Sequence, residues 1–133
     1  MKCHHIAFWT NDIEKLATFY KRYFEGHVLF RHSIDDFRCI FMRICEGVLI
    51  EIMSRTGLSA TNSHERVGYS HLSLEVASRA EVNRLTEYFR GHNVPLVKDR
   101  EQYDDGFYES AILDPDGNII ELAYIDRNVN PMV

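Results

Sequence analysis

Two hydrophobic periods run along this chain, and each occurs twice. Apolar side chains at Ile13, Leu16, Tyr20, Tyr23 and Phe24, and again at Val82, Leu85 and Phe89, fall on one face of a helix. Ahead of each helical stretch the period drops to two. Ile6 and Phe8 alternate with His5, Ala7 and Trp9, and Leu72, Leu74 and Val76 alternate with His71, Ser73 and Glu75. Asn11-x-x-Glu14 and Ser78-x-x-Glu81 carry the capping-box signature of a helix start. Gly26 and Gly91 are expected to end the two helices as left-handed caps. Three strand candidates follow each glycine, near His27–His32, Phe37–Arg43 and Val48–Met53, then near Val94–Val97, Tyr108–Leu113 and Asn118–Tyr124. The order βαβββ is therefore expected twice, over about 1–56 and about 68–126, with a polar linker over about 57–67. Together they make one α+β domain, 1–133.

The two halves also align residue by residue. FRCIFMRICEGVLIEIM, from Phe37, set over FYESAILDPDGNIIELA, from Phe107, matches Phe37 with Phe107, Gly47 with Gly117, Ile50 with Ile120 and Glu51 with Glu121. Asp114 to Gly117, DPDG, reads as a turn, and Cys45-Glu46-Gly47 as its looser counterpart. Each half thus places one carboxylate inside an apolar strand, in GVLIEIMS and GNIIELAY. A carboxylate buried without a partner costs several kcal/mol, roughly, so a partner or water is required.

Alternation says where these groups point. The amphipathic helices must cover one sheet face, and Ile6, Phe8, Ile50, Ile52, Leu72, Leu74, Ile120 and Leu122 form the apolar sets that suit it. His5, Glu51, His71 and Glu121 then share the opposite, concave face. Two imidazoles and two carboxylates at repeat-equivalent positions suit a divalent metal, which would neutralise both carboxylates. Single histidines and glutamates on open strand faces are more often solvated or hydrogen-bonded. The pattern alone leaves both readings standing.

Composition narrows the classes. A net charge of -5 with no basic run argues against nucleic acid or an anionic membrane as partner. No apolar stretch approaches the roughly 20 residues of a membrane helix, and no signal-peptide block opens the chain. Cys3, Cys39 and Cys45 lack any zinc or disulfide spacing, so buried, inert thiols in a reducing, cytoplasmic setting are expected. His4 is expected to point to the helix side or the domain edge, and His64, in the linker, to water.

The stretches HHIAFWTNDIEKLATFYKRYF, VLIEIM, GYSHLSLEV and DDGFYESAILDPDGNIIELAY resemble the vicinal-oxygen-chelate superfamily, the glyoxalase, bleomycin-resistance and extradiol-dioxygenase group. The resemblance covers almost the whole chain. It implies tandem βαβββ modules forming an open eight-stranded cup, with helices outside and one divalent metal within. Carried over by position, it implies His5, Glu51, His71 and Glu121 as the metal ligands. A two-His, two-Glu set is similar to that of bacterial glyoxalase I, a lactoylglutathione lyase. The cofactor implied is Zn, Ni, Co or Mn, with Glu121 as leading base and Glu51 as its partner. The reaction implied is isomerisation of a 2-oxoaldehyde hemithioacetal to a 2-hydroxyacyl thioester by proton transfer. Bacterial glyoxalase I has an arginine four residues after the first histidine that helps bind glutathione. Trp9 stands there in this chain, with Arg55 and Arg100 as candidate replacements. Trp9, Phe41, Met53 and Tyr108 are candidates to line the substrate site, or else ordinary core. The partners expected are a small-molecule substrate, such as a thiol adduct, and a second copy in a homodimer. Rival readings are a thiol transferase or epimerase on the same fold, and a metal-free drug-binding protein.

Overall fold

The computed structural model describes residues 3–59 and 68–129. The chain divides into two compact units, Met1–Thr61 and Asn62–Val133. Of the expected linker, residues 60–67, His64 among them, lie outside the described residues.

Unit one runs β1 (Ile6–Trp9), α1 (Ile13–Tyr23), β2 (His27–Ile34), β3 (Phe37–Ile44) and β4 (Val48–Ser54). Its sheet has the order β1-β4-β3-β2, with β1 parallel to β4 and the other neighbours antiparallel. One face carries Ile40, Met42, Ile44, Ile50 and Ile52, all buried, and α1 covers it with Leu16, Ala17 and Tyr20. Each such side chain taken fully out of water contributes about 1.5–3 kcal/mol before chain entropy is subtracted. The facing inferred from alternation holds here: Ile50 and Ile52 lie inward and Glu51 lies on the other side.

Unit two repeats the plan as β5 (His71–Glu75), α2 (Arg79–Gly91), β6 (Leu96–Gln102), β7 (Phe107–Leu113) and β8 (Ile119–Ile125). The sheet order β5-β8-β7-β6 is the same, again with the first pair parallel. Leu74, Ile112, Ile120 and Leu122 are buried on the side of α2, with Val82 and Phe89 of the helix. A hydrogen bond between the buried Thr86 and Ser110 hydroxyls, 2.7 Å, ties α2 to β7. The chain is thus α+β, with the tandem βαβββ order expected.

Local details correct several expectations. The cap of α1 is Asp12, not Asn11: its carboxylate accepts from the Lys15 amide at 3.0 Å. Ser78 caps α2 as expected, accepting from the Glu81 amide at 3.1 Å, while the Glu81 carboxylate turns to Arg84 instead of closing the box. The left-handed residues at the helix ends are Glu25 and Asn93, not the glycines. Asn93 completes a Schellman turn, with Val94 N–H donating to the Phe89 carbonyl and Asn93 N–H to the Arg90 carbonyl. Gly26 matters for another reason, since a Cβ there would lie 2.7 Å from the Tyr20 carbonyl oxygen. β6 starts two residues later than expected and extends to Gln102, because Val94 and Pro95 complete the turn after α2. Of the cysteines only Cys39 is buried. Cys3 precedes β1 and Cys45 sits in the β3–β4 turn, so both are exposed.

Candidate functional site

Strand register places the four candidate residues. In unit one Ala7 pairs with Glu51 across the parallel β1–β4 ladder, and His5 lies two residues before Ala7. In unit two Ser73 pairs with Glu121 across β5–β8, and His71 lies two residues before Ser73. Both histidines therefore stand diagonally across from their glutamates. The outcome is the same contact twice: His5 Nε2 to Glu51 Oε2 at 3.3 Å, and His71 Nε2 to Glu121 Oε2 at 3.2 Å. The carboxylates are mostly covered, with side chains 15% and 14% exposed, and the rings remain reachable at 33% and 39%. Each carboxylate thus has a polar partner, the requirement that its strand position imposed.

The remaining candidates separate. Trp9 pairs in register with Met53, and Phe41 with Glu51, so all three lie on the Glu51 face. Phe41 packs edge-on against His5, with ring centroids 5.1 Å apart. The Arg55 guanidinium lies over the Trp9 ring at 5.0 Å. Tyr108 does not reach the Glu121 face. It pairs with Tyr124 and donates its hydroxyl to Asn83 of α2 at 2.7 Å, on the helix side of the sheet. Arg100 is likewise drawn to the helix side, 2.9 Å from Glu87 and 3.0 Å from Asp99.

Other residues share these faces and were not singled out beforehand. Phe30 pairs with Phe41, His32 with Cys39 and Ile34 with Phe37, extending the Glu51 face into an aromatic surface. Burial, and then the Glu51 carboxylate nearby, push the Cys39 thiol's pKa up, so it stays protonated at neutral pH. On the Glu121 face Lys98 pairs with Ala111, which pairs with Glu121. Lys98 donates to the buried Glu109 carboxylate and to the Tyr103 hydroxyl, and Tyr103 donates to Glu101 at 2.7 Å. Burial works against the Lys98 charge, but the bonds to Glu109 and Tyr103 outweigh it and hold the ammonium well above its ordinary pKa. Alternation along the third strand of each unit was the available signal for Phe37, Cys39 and Glu109.

His4 and Ser70 were missed for a different reason. His4 stands two residues ahead of β1, beyond the strand alternation that extends back to His5. His4 is exposed, and its Nδ1 lies 2.9 Å from His5 Nδ1. Ser70, just before β5, places its hydroxyl 3.3 Å from His71 Nδ1.

Among the described residues, no group of three or more His, Cys, Asp or Glu side chains is assembled for a metal ion; each unit holds one pair. The donor set nevertheless fits a divalent cation. In each pair a ring nitrogen and a carboxylate oxygen converge, and neither carboxylate is engaged by a lysine or arginine within ion-pair distance among the described residues.

Comparison with known proteins agrees with the fold. Residues 2–122 match the model of the Glyoxalase/Bleomycin resistance protein/Dioxygenase superfamily. The chain belongs to that superfamily. Its fold matches the glyoxylase/bleomycin resistance protein/dioxygenase domain from Frankia sp. EAN1pec with TM-score 0.81 at 18% identity, over 95% of this chain and 98% of that one. The trypanothione-dependent glyoxalase I of Leishmania major matches with TM-score 0.73 at 23% identity, over 93% and 86%. The fosfomycin resistance protein FosX from Listeria monocytogenes matches with TM-score 0.75 at 21% identity, over 96% and 94%. No helix among the described residues is long and apolar enough to cross a membrane.

Proposed function

We propose that this chain is a metal-dependent, glyoxalase-like lyase acting on a small substrate with adjacent oxygens, such as a 2-oxoaldehyde hemithioacetal. The observation that carries this reading is the duplicated His–Glu pair, at 3.3 Å and 3.2 Å in identical register. His5, Glu51, His71 and Glu121 would together hold one divalent cation, Zn, Ni, Co or Mn, within one domain or across a homodimer. Such a cation would supply Lewis-acid polarisation of neighbouring substrate oxygens.

The chain's own residues then have distinct work. Glu121, mostly covered and in contact with the His71 ring, takes a proton from one substrate carbon and returns it to the next. Glu51 is its acid–base partner. Trp9, Phe41 and Met53 exclude water over the Glu51 face and favour an apolar substrate group. A cytoplasmic setting, where thiols stay reduced, suits a thiol-adduct substrate.

The test measures metal content and turnover together, on protein purified without a polyhistidine tag. About one metal per pair of His–Glu sites, with metal-dependent turnover of a methylglyoxal hemithioacetal lost in Glu121→Gln, is the expected result. Metal without turnover on any hemithioacetal would redirect the search to thiol transfer or epimerisation. The aromatic Glu51 face supports a second reading, a metal-free binding protein for aromatic ligands. That reading requires ligand binding that survives Glu51→Gln and exhaustive chelation.

A further inference from the structure

Each candidate histidine is held at both ring nitrogens. Nε2 faces the glutamate, at 3.3 Å in unit one and 3.2 Å in unit two. Nδ1 faces the residue immediately before it in the chain: His4 Nδ1 at 2.9 Å from His5 Nδ1, and Ser70 Oγ at 3.3 Å from His71 Nδ1. The side chains differ, imidazole in one unit and hydroxyl in the other. They share one property: each can donate or accept a hydrogen bond at that atom. A backbone carbonyl or a carboxylate in the same place would only accept.

That shared property matters because a neutral imidazole carries a single ring proton, and its placement decides what the other nitrogen can do. Without a cation, the proton belongs on Nε2, where the carboxylate accepts it. Nδ1 must then accept, and His4 Nδ1–H or Ser70 Oγ–H can donate. With a cation held at Nε2, the proton must sit on Nδ1, which donates to the same neighbour, now an acceptor. His4 accomplishes its half by carrying its own proton on Nε2 instead, and its exposed ring exchanges that proton with water. No net proton is gained or lost on either ring. Both states leave every ring nitrogen satisfied.

We propose that His4 and Ser70 are positioning residues that let His5 and His71 exchange tautomers when a divalent cation binds. This rests on the metal reading above and goes beyond it, since both residues lie outside the proposed ligand set. Outer partners of this kind alter metal affinity by about 10–100-fold when removed.

The test uses the full chain and Zn(II) alone. Long-range ¹H–¹⁵N spectra report the tautomer of each ring directly. The metal-free protein is expected to show His5 and His71 protonated on Nε2, changing to Nδ1 protonation on Zn(II) addition. His4→Phe and Ser70→Ala should each weaken Zn(II) binding about tenfold or more. His4→Asn and Ser70→Thr, which still donate or accept, should stay close to wild type. Unchanged affinity in His4→Phe and Ser70→Ala, with wild-type Zn(II) binding intact, would overturn the positioning role and leave the metal reading standing. Rings already protonated on Nδ1 without metal would also overturn it. A wild-type chain that takes up no Zn(II) would sink the metal reading, and this proposal with it.

Discussion

Opposite Glu51 stands Phe41; opposite Glu121 stands Ala111. The substitution of chemistry continues position by position. Phe30 in unit one corresponds to Lys98 in unit two, Cys39 to Glu109, and Met53 to Ala123. Trp9 corresponds to Glu75, and an arginine lies against each: Arg55 over the indole ring, Arg127 2.9 Å from the Glu75 carboxylate. One face is aromatic and the other polar, on the same backbone plan. Yet the His–Glu contacts differ by only 0.1 Å (3.3 against 3.2 Å). Register alone fixes the pair, because diagonal neighbours across a parallel ladder are set by backbone pairing and not by what lines the face. The lining is free to vary while the pair stays constant.

The strongest way to break the symmetry between the units is to remove one carboxylate at a time. Glu121→Gln is expected to reduce turnover about 10²–10⁴-fold, the usual contribution of a positioned acid–base group. Glu51→Gln should weaken metal binding similarly, but reduce turnover at saturating metal less than Glu121→Gln, because Glu121 is the leading base. Equal losses of turnover at saturating metal would show the two pairs to be interchangeable in the chemistry, and would remove Glu121's special role.

The next effect is on stability and is confined to unit two. Lys98→Met leaves the covered Glu109 carboxylate without its cation, and a loss of about 2–3 kcal/mol is expected from the urea midpoint. Cys39→Ala, at the place in unit one that Glu109 holds in unit two, removes no cation from a carboxylate and should cost less. The Lys98 pKa is raised in the folded chain, so its contribution is complete below the ordinary lysine value and declines as pH rises through the folded one. The gap between wild type and Lys98→Met should therefore stay constant from pH 7 to 9. A gap that closes within that range would show that the Glu109 contact does not hold the ammonium.

Much of this was legible in the residues, for reasons the two units make plain. Apolar periods of 3.6 and 2 depend only on local spacing, so both helices and the βαβββ order could be read directly. His5, Glu51, His71 and Glu121 could be placed because their strands run between strong apolar alternations. Tyr108 and Arg100 turn to the helix side, and register decides it. The repeat alignment equates Ala111 with Phe41, and Tyr108 with Arg38, one step out of phase with Phe41, which puts Tyr108 on the face of Ile112. For Arg100, the two register shifts in β6 break the alternation itself. His4 and Ser70 precede their strands, where no periodicity applies.

A smaller effect would sharpen the contrast between the faces. Trp9→Ala removes an indole that is 45% exposed, so little stability should be lost. If the Glu51 face receives an apolar substrate group, kcat/KM for a phenylglyoxal hemithioacetal should fall about tenfold relative to the methylglyoxal adduct. Glu75→Ala, its counterpart, should leave that ratio unchanged. Parallel losses for both substrates would mean that Trp9 supports the face without contacting the substrate.

The smallest effect concerns where the repeat begins. Both units start their helix with a side chain accepting an amide three residues on, Asp12 from Lys15 and Ser78 from Glu81. Each is expected to contribute about 1 kcal/mol, so Asp12→Ala and Ser78→Ala should lower stability by similar amounts. Asn11→Ala should cost under about 0.5 kcal/mol, because Asn11 lies outside the helix it was expected to cap. The order matters for the site. Thr10, at the end of β1, accepts the Asp12 amide through its hydroxyl at 3.0 Å and donates its own amide to the Met53 carbonyl at 2.9 Å. The cap thus continues the ladder that aligns Ala7 with Glu51, and an asparagine cap one residue earlier would leave that junction one residue short. If Asn11→Ala proved the costlier change, the helix would start one residue sooner and the junction between α1 and the Glu51 ladder would need redrawing.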